Sequence, residues 1–91
     1  MRKNENLVEQ LSTWLLGLDV GIKPSVKINS GFTNATVVVD FGTPKEPVRL
    51  SADQSAELSN KMREIAVALT NRKSIRINHD NQNGVYWTSV A

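Results

Sequence analysis

The sequence predicts a single α+β domain over residues 1–91, order α-βββ-α-ββ, with two helices packed on one face of a mainly antiparallel sheet. Three observations point there. Apolar residues recur at helical spacing over about residues 4–17 and again over about 51–73; the period falls to two between and after these stretches; and 91 residues with 40% hydrophobic content suffice for one core.

In the first helical stretch, Leu7, Leu11, Leu15 and Leu18, with Val8 and Trp14 alongside, form one apolar stripe behind a capping Asn4, and Gly17 or Gly21 ends it. From Pro24 the residues alternate. Val26 and Ile28 point one way, and after the turn "SGFTN" Ala35, Val37, Val39 and Phe41 share a face while Thr36, Val38 and Asp40 take the reverse. Beyond "GTPKEP", Val48 and Leu50 suggest a short third strand, placed late or at an edge by Pro44 and Pro47.

The second helix carries the clearest start signal. Ser51 is a good N-cap, Gln54 stands three residues on as in a capping box, and Leu58, Met62, Ile65, Ala66 and Leu69 make the buried stripe. Ile75 and Ile77 then open a strand, "HDNQNG" reads as a bend, and "VYWTSV" returns. Asn83-Gly84 is a strong turn dipeptide because tight hairpin turns favour residues that accept positive φ.

Composition excludes several chemistries. With no cysteine there are no disulfides, thiolate nucleophiles or thiolate zinc sites. Eleven basic and nine acidic residues give a net charge of +2, a mild field rather than a polybasic one. The amino terminus is interrupted by Glu5, Glu9 and Gln10, so it does not read as an export signal, and no run is long enough to span a membrane. The expected compartment is the cytoplasm.

One histidine cannot make a usual zinc site, and no glycine-rich phosphate loop follows a strand. His79 beside Asp80 suggests an oriented base, but neighbours on a strand point to opposite faces. The expectation is therefore a chain that is not an enzyme and takes no cofactor. A basic set remains around the second helix end: Arg72, Lys73 and Arg76 could bracket a phosphate, with Tyr86 or Trp87 offering a ring to stack on.

Residues 5 to 71 are similar in element order to a double-stranded RNA-binding domain, but "SADQSAE" stands where that family has a Lys-Lys-x-Ala-Lys helix start, so no RNA contact carries over. The full order is similar to the early part of type III secretion chaperones, small acidic dimers that hold a partner chain on their sheets. Here the net charge is +2, of opposite sign. In style the cysteine-free, asparagine-rich chain is similar to phage and mobile-element accessory proteins, including inhibitors of host defence. Element order alone does not assign a function.

The alternation places Val38 opposite Val37 and Val39, and Tyr86 opposite Trp87, so two helices would leave a second apolar surface uncovered. That predicts a binding module, with no membrane role, which occupies a protein partner's surface through Tyr86, Trp87 and Val38 and forms a homodimer. The alternative is capture of a nucleic acid or phosphorylated nucleotide by Arg72, Lys73 and Arg76.

Overall fold

A leucine stripe and a capping box set the helical layer. The computed structural model describes residues 2–18, 24–29, 36–42, 49–71, 74–80 and 82–90, with α1 at Arg2–Leu16 and α2 at Ala52–Thr70. At the start of α2 the Gln54 amide donates to Ser51 Oγ at 3.1 Å, and the Ser51 amide donates to Gln54 Oε1 at 2.9 Å. These two reciprocal bonds satisfy amides that the first turn would otherwise leave unpaired. The helix stops where Asn71 turns left-handed (φ 58), its amide donating to the Val67 carbonyl at 2.8 Å. Helix α1 ends in a tighter turn, in which the Gly17 amide donates to the Trp14 carbonyl at 3.0 Å.

Four strands form the sheet among the described residues: β1 (Ser25–Asn29), β2 (Thr36–Asp40), β3 (Ile75–Asp80) and β4 (Val85–Val90). Every pairing is antiparallel and the order is β1-β2-β4-β3. The hairpin β3–β4 therefore folds back so that its second strand lies beside β2, and β2 and β3 run in the same direction with β4 between them. Helix α2 makes the connection across the sheet.

The short strand expected around Val48 and Leu50 is replaced by irregular chain at Arg49 and Leu50, while Val48 lies outside the described residues. Leu50 is half-buried and packs against the core, so its apolar character serves the approach to α2 rather than a ladder. The turn between β3 and β4 also differs from a two-residue hairpin. Gly84 has φ 65, whereas Asn83 keeps a negative φ, and the ladder closes at Asp80 opposite Val85. A longer loop needs only one left-handed residue at its end.

The core lies between the helices and one face of the sheet. Leu11 and Leu15 of α1 and Leu58, Met62, Ile65 and Ala66 of α2 meet Val37, Val39, Phe41, Ile75 and Tyr86. Val26, Ile28 and Trp14 pack around it half-buried. Phe41 sets its ring edge-on to Tyr86, with centroids 5.8 Å apart and planes at 72°.

Thr88 is the polar member of this interior, 1% exposed, and its Oγ1 accepts the Val37 amide at 3.0 Å. A side chain thus takes up a buried backbone donor at the end of the β2–β4 ladder. Thr88→Val keeps the shape but strands that amide, which should lower stability by about 1–3 kcal/mol in chemical denaturation.

Candidate interaction face

Alternation divides the strands cleanly. Val26, Ile28, Val37, Val39, Ile75, Ile77, Tyr86, Thr88 and Val90 face the helices, which leaves the intervening residues on the reverse. No described element packs on that reverse face. Its middle row runs Lys27–Val38–Trp87–Asn78 across all four strands. On one side of it lies the row Ser25–Asp40–Val85–Asp80. On the other side lie the pairs Asn29–Thr36 and Arg76–Ser89.

The apolar part of this face is small and central. Val38 and Trp87 are direct cross-strand partners, and Val85 sits two residues from Trp87 on β4. Neighbours of this kind are in side-chain contact range, about 5 Å between Cβ atoms across the pair. All three are half-buried, and none belongs to or packs against the core cluster. Polar groups ring them: Lys27, Asp40, Arg76, Asn78, Asp80 and Ser89. The reverse face is therefore less greasy than the sequence suggests, since Thr36, Asp40, Asn78 and Ser89 occupy positions beside the three apolar residues.

The rim is held in place. Asn78 Nδ2 donates to Ser89 Oγ at 3.0 Å and to the Trp87 carbonyl at 3.4 Å, fixing the amide alongside the indole strand. Asp40 Oδ1 accepts the Gly42 amide at 2.8 Å, where Gly42 has φ 80. Asp80 Oδ1 accepts the amides of Gln82 (3.1 Å) and Asn83 (3.3 Å), and Oδ2 accepts Asn83 Nδ2 at 2.7 Å.

Those bonds, the Asn83 side chain first, hold the Asp80 carboxyl below its ordinary range because they favour the charged form. A depressed carboxylate contributes its order above the unfolded value and loses it as pH falls through the folded one. The turn should accordingly stay closed at neutral pH and loosen only in acid. In an NMR titration, the Gln82 and Asn83 amide signals should follow Asp80 with a midpoint below that of an unconstrained aspartate.

Of the residues the sequence nominates for partner contact, Val38 and Trp87 meet on the reverse face. Tyr86 does not join them: it is 7% exposed, and burial among the core residues pushes its phenol pKa up. Only one ring of an adjacent pair on a strand can face outward, and here it is Trp87. Arg76 is exposed on the reverse face, on the row next to Trp87, whereas Arg72 and Lys73 lie outside the described residues. Val85, Lys27 and Asn78 were not singled out from sequence. The signal for Val85 was available, two residues before Trp87 on an alternating strand.

His79 lies on the helix side of β3 at the hairpin end, exposed, stacked on Tyr86 with centroids 5.5 Å apart and planes at 24°. Asp80 faces the opposite way and is committed to the turn, so the two do not form an oriented base. Among the described residues no three His, Cys, Asp or Glu side chains gather as a metal site would need, and no helix is long and apolar enough to cross a membrane. Among the described residues, open grooves flank α1 on the helical layer. One of about 620 Å³ is lined by Leu7, Asn60, Arg63, Glu64, Val67 and Ala68. Another, of about 510 Å³, is lined partly by Glu9, Trp14 and Lys61.

No family model, no curated protein and no solved structure matches this chain.

Proposed function

We propose that this chain is a non-enzymatic binding module that works by occupying a protein partner's surface with the helix-free face of its sheet. The observation that carries the reading is the contiguous Val38–Trp87–Val85 cluster, set at the centre of a face on which no described element packs and ringed by charges of both signs. An apolar, aromatic centre inside a polar rim is the common layout of a protein-binding surface, and tryptophan is the residue type most enriched at energetic centres. Antiparallel strands locked by the Asn78–Ser89 bond and the Asp80 turn present that cluster with little ordering cost. Accessory proteins that block a host enzyme act by such occupancy.

The anion-capture alternative has less support. Arg76 and Trp87 do share a face, but Asp40 and Asp80 share it too and repel phosphate. Salt separates the readings. The tagged chain should retain a protein from extracts of its native cells in both low and high salt, identified by mass spectrometry, and Arg76→Ala should weaken that retention only slightly. Retention of nucleic acid that fails at high salt and in Arg76→Ala would replace this proposal with the alternative.

A further inference from the structure

The geometry points to a second copy of this chain as an occupant of the helix-free face, in a sheet-to-sheet homodimer; this rests on the reading of that face as the binding surface. Charge is distributed unevenly over this face. Among the described residues both acids of the face, Asp40 and Asp80, lie in the row at one end of the strands, and Arg76 lies at the other end, four residues from Asp80 on β3. The apolar pair Val38–Trp87 occupies the row between them.

A two-fold axis along that middle row, perpendicular to the strands, exchanges the two ends. It sets Trp87 and Val38 of one copy against the same residues of the other. The same operation brings each Arg76 over the Asp80 of the opposing copy, twice per dimer. Strands of the two sheets then run nearly along one another, the aligned packing that twisted sheets adopt. Lys27 falls at the outer end of the axis, where its flexible stem leaves the ammonium in water.

The size of the face sets the strength. Four strands about 4.8 Å apart and five to six residues long offer a patch of roughly 350 Å² in projection on each copy, under half of the about 800 Å² per partner of a standard interface, which places the association among weak ones. The dimer should therefore be concentration-dependent, predominant at about 200 µM and dissociated by about 1 µM.

Light scattering behind size-exclusion chromatography over that range tests it. The wild type should pass from monomer mass to dimer mass. Trp87→Lys should remain monomeric throughout, and Arg76→Glu, which turns both cross-copy attractions into repulsions, should weaken association about tenfold, with circular dichroism unchanged in each. A wild type that stays monomeric at 200 µM overturns the homodimer. So does a dimer indifferent to both substitutions. If the wild type is monomeric and Trp87→Lys still abolishes retention of a cellular protein, only the identity of the occupant is wrong. If it is monomeric and Trp87→Lys leaves retention unchanged, the reading of the face falls as well.

Discussion

Truncating Phe41 to alanine is expected to lower stability by about 3–5 kcal/mol, most of what a domain of this size has to lose. Phe41 is fully buried in the core just past the end of β2, edge-on to Tyr86, and its amide donates to the Gly84 carbonyl at 2.7 Å. That bond ties its backbone to the β3–β4 turn, so the chain cannot close in over the space the ring leaves. The transfer and cavity terms then add. Urea denaturation should show the midpoint falling steeply, and Phe41→Leu should recover most of the loss because the remaining branched side chain refills the site. A loss below about 1 kcal/mol for Phe41→Ala would mean that the ring does not sit in the core.

The second large effect belongs to function and should leave the fold intact. Trp87→Lys is expected to reduce binding to a protein partner at least about thirty-fold while changing the urea midpoint little. The indole contributes nothing to the core cluster, and a lysine on an open sheet face keeps its stem against Val38 and its charge in water. At a buried interface centre the same charge is stranded without a partner. Isothermal titration or surface plasmon resonance with the partner, alongside denaturation of the variant, separates the two effects. Equal binding by wild type and variant would remove Trp87 from the contact surface.

The two helices were legible because their signals are local, although α1 starts at Arg2, so that Asn4 lies inside its first turn rather than capping it. Ser51 and Gln54 announce the start of α2 within four residues, and of the expected stripe Leu58, Met62, Ile65 and Ala66 are buried while Leu69 packs half-buried against the core. The inward set of the strands followed from alternation: Val26, Ile28, Val37, Val39 and Phe41 all face the helices. Strand order was not legible. Placing β4 rather than β3 beside β2 depends on partners about fifty residues apart, such as Val37 and Thr88, and no local pattern encodes that choice.

Leu50 misled for a related reason. An apolar residue every second position satisfies a strand pattern, but at Leu50 the same burial is achieved by irregular chain leading into α2. At the candidate site, alternation did establish that Tyr86 and Trp87 must part company. Which of them faces outward followed only from the pairing of Tyr86 with Val39, a core residue, and of Trp87 with Val38. The polar ring around Val38 and Trp87 was equally out of reach, since Lys27, Asn78 and Arg76 reach that face only once β1 and β3 have taken their registers.

Site-specific photo-crosslinking tests the reading of the helix-free face most directly. A benzophenone amino acid placed at Trp87, and in a parallel sample at Asn60 on the outer side of α2, would be irradiated in the chain's native cells. A discrete protein adduct is expected from position 87, at twice the chain's mass for a second copy or at another mass for a different partner, and none from position 60. Adducts from position 60 with none from position 87 would contradict that reading and move the binding surface to the helices.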